Sequence, residues 1–194
     1  MYAKDKNGVV VPLLVEDTGA IIGSKCGKYR AATEAGRVFA AANQAVQTTT
    51  KGLALIYTGL TLYNPIGSGK NLSLLGLGIV AEIQVPTDIC VMGIMTGSGA
   101  GAATAAIPAR NRLSGGPSSV AYVDPEVIFT EAPVLEQVLK TFHTGTVVEG
   151  EQDGFYADLD GSMIITPGFH ASVYASEVNV DTFQFSWLWE EYTP

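Results

Sequence analysis

Lys70 follows Gly69 in the stretch YNPIGSGKNLSLL, residues 63–75. A Gly-Lys pair after an apolar, β-branched run is what a phosphate-binding loop uses to aim backbone amides and an ammonium at an anion. The rest of that chemistry is missing. Such a loop needs a glycine five residues before the pair and a Ser or Thr after the lysine to reach magnesium, and those places hold Asn64 and Asn71. Beyond Lys70 come Leu72, Leu74, Leu75, Leu77, Ile79 and Val80 broken by Gly76 and Gly78, a run that suits a strand better than a phosphate-capping helix. The stretch therefore reads as a turn: Asn64-Pro65 opens it, Gly67 and Gly69 supply positive φ, and Lys70 points to solvent.

Other reactive residues converge no better. TGSGAGAA satisfies the loose dinucleotide pattern through Gly97, Gly99 and Ala102, but Pro108 arrives too soon for the helix that pattern requires, so a flexible loop is expected. His143 and His170 could join Asp153, Asp158 or Asp160 around a metal, yet no pair has the short spacing of a metal motif. DLDGS lacks the third ligand and distal glutamate of a calcium loop and reads as a turn. Ser24, Ser68, Ser98 and Ser114 sit near glycines, none in G-x-S-x-G. Cys26, beside Lys25 and Lys28, and Cys90 are far apart and read as unreactive free thiols. Glu190 and Glu191 are adjacent on a strand, so they face opposite ways and cannot flank one bond; solvation of the terminus accounts for them. No catalytic residue, metal or cofactor is expected.

The elements that hold these residues are those of one β-rich domain. A chain of 194 residues is long enough for a single full-sized core. Hydrophobic residues make up 47% and charged residues 15%, a surface poor in charge that suggests subunit assembly. There is no apolar run long enough for a membrane helix and no secretory leader in Met-Tyr-Ala-Lys-Asp, so the expectation is a soluble chain made in the cytoplasm. The net charge of −8 is unevenly spread. Residues 1–51 hold seven of the eleven basic groups, whereas residues 113–194 hold Lys140 against thirteen acidic groups. Acidic loops that keep an apolar sandwich soluble would explain this; so would an arm in which Lys4, Lys6, Lys25, Lys28, Arg30 and Arg37 meet an acidic neighbour. The basic groups are too few and too sparse, without interleaved aromatics, to favour nucleic acid.

Residues 1–30 read as an extended N-terminal arm and 31–194 as the folded domain. Pro12 interrupts the apolar piece Val9 to Val15, as in an edge strand. Residues 32–46 and 132–142 fit helix or strand and are left open. From residue 52 onward, β-branched and aromatic residues alternate with Thr and Gly. Turn signals recur at Asn64-Pro65, Pro86-Thr87, Gly97 to Gly101, Gly115-Gly116-Pro117 and Asp124-Pro125. In TFQFSWLWEEY, Phe183, Phe185, Trp187 and Trp189 share one face and Gln184, Ser186, Leu188 and Glu190 the other. This pattern predicts an all-β fold, an antiparallel β-sandwich of jelly-roll type.

The succession GRVFAAANQAVQTTT, LYNPIGSGKNLSLL, DLDGSMIITPGF and FQFSWLWEEY resembles the small β-rich virion proteins of tailed bacteriophages, the head decoration and cement type, over about Gly36 to Tyr192. The resemblance implies a jelly-roll-like sandwich, a homo-oligomer (trimer or dimer) and a surface that binds the major capsid protein. The chain would then reside on the capsid surface of the virion after synthesis in the host cytoplasm, and would act without catalysis, nucleic acid or membrane. The alternative is a receptor- or carbohydrate-binding head-fibre or tail component on the same fold, with Tyr122, Phe155, Tyr156 and Trp187 as the aromatics that could stack on a sugar.

Overall fold

The computed structural model describes residues 2–4, 10–12, 28–81, 89–101, 106–143, 154–177 and 179–194. Two compact units divide the chain, Met1–Ala31 and Ala32–Pro194. In the first, β1 (Tyr2–Lys4) pairs antiparallel with β2 (Val10–Pro12), Tyr2 opposite Pro12 and Lys4 opposite Val10. Pro12 can end such a strand because it has no N–H to offer a third.

The open segment 32–46 resolves into both alternatives. α1 (Arg30–Glu34) is a single helical turn that closes at Gly36, whose φ of 68° lets the chain reverse while its N–H bonds the Thr33 carbonyl. β3 (Val38–Ala42) begins two residues later. β4 (Gln47–Thr49), β5 (Ile56–Tyr63), β6 (Asn71–Ala81), β7 (Ile89–Ser98), β8 (Ala100–Gly101), β9 (Arg110–Asn111) and β10 (Tyr122–Phe129) come next. The second open segment is strand: β11 (Val134–His143), with Val134 and Val138 exposed and Phe142 buried. β12 (Gly154–Ile165), β13 (Phe169–Ala175) and β14 (Asn179–Tyr192) complete the chain.

These strands form two antiparallel sheets packed as a sandwich, ordered β11-β7-β13-β5-β10-β8 and β12-β6-β14-β3-β9, with β4 beside β14. Apart from the short strands and the inserted β10, β3 pairs with β14, β5 with β13, β6 with β12 and β7 with β11. The first strand therefore meets the last and the pairing works inward, the topology of a jelly roll.

The core between the sheets obeys the alternation read in the sequence. Phe183, Phe185, Trp187 and Trp189 are all buried, Trp189 stacks on Phe39 with centroids 6.0 Å apart, and the Trp187 indole donates to the Leu60 carbonyl at 3.4 Å. Each fully buried ring contributes about 2 to 3 kcal/mol.

Three predicted turns have different outcomes. Asp124-Pro125 does not reverse the chain. β10 continues through it with a register shift, and Asp124 is buried, accepting the Ala106 N–H at 3.0 Å. DLDGS is a bulge inside β12, where Asp158 pairs with Gly76 and Met163 with Leu74, the excess absorbed by positive φ at Asp160 and Gly161. TGSGAGAA, as far as Gly101, is the end of β7, a break at Gly99 (φ 66°) and β8, in place of a free loop. Pro86-Thr87 lies outside the described residues.

Candidate functional site

The Gly-Lys stretch is a corner that carries the chain from one sheet to the other. Buried Asn64 organises it: its side-chain amide donates to the Lys70 and Ile165 carbonyls at 2.8 and 2.9 Å, and Ser68 Oγ donates to Asn64 Oδ1 at 2.6 Å. Gly67 and Gly69 have φ of 81° and 68°. The turn is as expected, but Lys70, its side chain 35% exposed, is not free in solvent. Its Nζ lies 3.3 Å from Oε2 of Glu191, a carboxylate without exposed side-chain surface. Glu191 Oε1 accepts from Ser119 Oγ at 2.5 Å, the Val120 N–H at 3.0 Å and the Trp189 indole at 3.4 Å. Solvation therefore does not account for Glu191. Its neighbour Glu190 does face outward, where it pairs with Arg37 at 3.0 Å. The lysine that invited a phosphate is committed to an internal charge.

On the outer face of the other sheet, an imidazole–hydroxyl chain is present that the sequence reading missed. His170 Nδ1 lies 3.1 Å from Ser172 Oγ, which lies 2.8 Å from Thr61 Oγ1. The available signal was the i, i+2 spacing of His170 and Ser172 on a strand, which puts both on one face. Hydroxyl beside imidazole is the chemistry of an activated nucleophile, but all three residues are at most 1% exposed and no surface is left for a substrate to approach. The ring stacks on Phe129 at 4.1 Å and 4°, and Nε2 has no partner, facing Gly97 so closely that a Cβ there would lie 2.7 Å away. Burial lowers the His170 pKa to about 4, so the ring is neutral near pH 7. Among the described residues, no three His, Cys, Asp or Glu side chains are grouped to hold a metal ion.

Beside this chain, Tyr57 fills a gap in the sheet. The β5–β13 ladder ends at Thr61 opposite Ser172. Beyond it the Tyr57 hydroxyl accepts the Leu60 N–H at 3.1 Å and donates to the Val173 carbonyl at 2.7 Å, bridging two backbone groups. The hydroxyl reaches them only because residue 59 is glycine; a Cβ would lie 2.0 Å from Tyr57 Oη. Burial pushes the Tyr57 pKa well above its usual range.

The cations expected to bind a partner are spread along the chain. Lys4 ends β1. Lys6 and Lys25 lie outside the described residues, as do Ser24, Cys26, Ala102 and Asp153. Exposed Lys28 has its Nζ 5.2 Å from the Tyr29 ring centroid, Arg30 starts α1, and Arg37 is held by Glu190. Among the other residues singled out, Cys90 is buried and Ser98 Oγ donates to Glu131 at 2.7 Å.

Of the aromatics, Trp187 is fully buried, Phe155 half-buried, and Tyr122 tilts against Tyr63 at 6.4 Å. Tyr156 is different. It is 56% exposed on the outer face of the β12-β6-β14-β3-β9 sheet, in an open groove of about 500 Å³ that also includes Gln44, Arg110, Arg112, Ser186 and Leu188. Pairing aligns two rows across this face. One is Tyr156, Gly78, Ser186 and Ala42; the other is Asp158, Gly76, Leu188, Ala40 and Arg110. The floor is low because β6 contributes only glycine to both rows, and the Tyr156 ring lies down on it: a Cβ at Gly76 would stand 2.0 Å from Tyr156 Oη and 2.5 Å from Cζ. Among the described residues, Arg110 and Arg112 have no ion-pair partner.

Fold and site together define a class, a jelly-roll β-sandwich with a shallow groove on one outer face. Comparison with protein-family models, curated proteins and solved structures returns no match at any of the three levels. No helix among the described residues is long and apolar enough to cross a membrane.

Proposed function

We propose that this chain is a non-enzymatic structural protein of a tailed-phage virion, which attaches to the outside of the capsid and cements or decorates it by bridging major capsid protein subunits as a homo-oligomer. The observation that supports this reading is an aliphatic cluster at one margin of the sandwich. Ile56 and Ile128 face each other across β5 and β10 at 73% and 57% exposure, and Leu53 and Leu55 on the approach to β5 are exposed as well. Large aliphatic side chains held in register on a rigid sheet are a contact surface in search of a partner. A brace between capsid subunits needs such a surface on a stiff core and needs no reactive group. The charge-poor composition suits packed subunit contacts, and the basic N-terminal segment supplies a tether to an acidic neighbour.

The test is co-sedimentation of the purified chain with shells assembled from the cognate major capsid protein. The wild type is expected to saturate the shells stoichiometrically. Ile56→Asp/Ile128→Asp should lower occupancy, and so should removal of residues 1–30. Absence of binding by the wild type would end this reading. The alternative, a receptor- or carbohydrate-binding head-fibre or tail component, is favoured by one feature, the exposed Tyr156 ring in its groove.

A further inference from the structure

We propose that the outer-face groove binds an acidic saccharide, stacking one sugar ring on Tyr156 and holding a sugar carboxylate with Arg110 and Arg112. The inference rests on the carbohydrate-binding alternative and is independent of the capsid reading.

Three features of the groove point to this ligand. The floor strands spend their backbone groups on one another, since β6 pairs with both β12 and β14, and β14 with β3. Unpaired edges lie only at the margins, along the outer side of β12 and beyond the two-residue β9, so a peptide could not add as a strand across the floor itself, and recognition there falls to side chains. The Tyr156 ring lies over Gly76 and Gly78, which have no side chain to displace it, and the residue stays 56% exposed. An exposed aromatic ring seated close on a sheet is a platform for the apolar face of a pyranose. The third feature is charge. In a chain of net charge −8, two exposed arginines stand at the β9 end without an ion-pair partner among the described residues. A guanidinium presents a planar fork of donors that matches a carboxylate in two parallel hydrogen bonds.

The remaining groups complete a sugar site. Gln44 Nε2 donates to the Ala42 carbonyl at 2.8 Å, which fixes the amide and leaves Oε1 as an acceptor for a hydroxyl. Ser186 Oγ lies on the floor above Gly78. The one acidic residue in the two rows, Asp158, is at the β12 end with Tyr156, four strand spacings or about 19 Å from Arg110. The groove is thus polarised along its length, aromatic and acidic at β12 and basic at β9. A ligand reaching from ring to guanidinium is a short oligosaccharide with its carboxylate at the β9 end.

The experiment is calorimetric titration of the full chain with tri-galacturonate and with sialyllactose, beside their uncharged counterparts galactotriose and lactose, and with poly-glutamate. One of the two acidic saccharides should bind at least about tenfold tighter than its neutral counterpart, with affinity falling as salt is raised. Arg110→Gln/Arg112→Gln should abolish that preference. Tyr156→Ala should weaken binding, and Tyr156→Phe should retain it. All the altered side chains are exposed, and thermal melts would confirm that the variants fold. Equal binding of acidic and neutral sugars would keep the carbohydrate-binding alternative and overturn the acidic assignment. Binding of poly-glutamate alone, or of no probe, would overturn both.

Discussion

His170 makes acid stability the most direct check on how the outer face of the β11-containing sheet is built. In the folded chain the ring is fully buried, stacked on Phe129, with Nε2 unpartnered, and desolvation lowers its pKa to about 4 from the ordinary 6.5. Between those two values the unfolded chain binds the proton and the folded chain refuses it, so acid drives unfolding. The contribution is complete above pH 6.5 and is lost as pH falls through the folded value. With 1.36 kcal/mol for each pKa unit, the loss relative to pH 8 is about 1.4 kcal/mol at pH 5.5 and about 3 kcal/mol at pH 4. Carboxylates also titrate in this range, so the measurement must be differential. Urea unfolding from pH 8 to pH 4 would compare the wild type with His170→Phe. The variant keeps a ring against Phe129 and leaves Ser172 paired with Thr61 at 2.8 Å. The larger ring crowds Gly97 at a cost of about 1 to 3 kcal/mol, but that cost does not depend on pH. The expected result is a stability difference that shifts by about 3 kcal/mol in the variant's favour on acidification, closing or reversing the wild type's lead at pH 8. Parallel curves, or a His170 ring that titrates near 6.5 by NMR in the folded state, would refute the burial argument.

The buried polar groups yield two further outcomes. Tyr57→Phe removes the hydroxyl that joins the Leu60 N–H to the Val173 carbonyl, leaving both without their bridge, and should cost about 2 to 4 kcal/mol in urea unfolding. The adjacent glutamates should differ sharply. Glu191→Ala strips the acceptor from Ser119, Val120, Trp189 and Lys70 and should cost about 3 to 5 kcal/mol. Glu190→Ala breaks only the Arg37 pair at the surface and should cost less than about 1 kcal/mol. Comparable losses at the two positions would sink the assignment of Glu191 as a buried hub.

Local pattern was enough to establish the fold class and the inward face of the main strands. Side chains alternate along a strand with a period of two, so Phe183, Phe185, Trp187 and Trp189 announce a buried face without reference to any other part of the chain. Positive φ at Gly67 and Gly69 was legible for the same reason, since a tight turn after Asn64-Pro65 leaves few other residues that fit. Where a local signal competed with pairing, pairing won: Asp124-Pro125 and DLDGS look like turns, but pairing with β5 and with β6, before and after each register shift, carries β10 and β12 through them as bulges.

The roles of the polar residues emerge from contacts across the fold. Lys70 and Glu191 are 121 residues apart, Ser119 and Glu191 are 72 apart, and Tyr57 reaches Val173 across 116. A carboxylate read in one dimension carries no mark of the cation that will face it, because the match is made by strand order and register rather than by neighbours in sequence. The groove has the same origin. Tyr156, Gly76, Gly78, Ser186, Ala40 and Arg110 come from five strands, and they form a platform with a basic end only because the jelly roll sets those strands side by side.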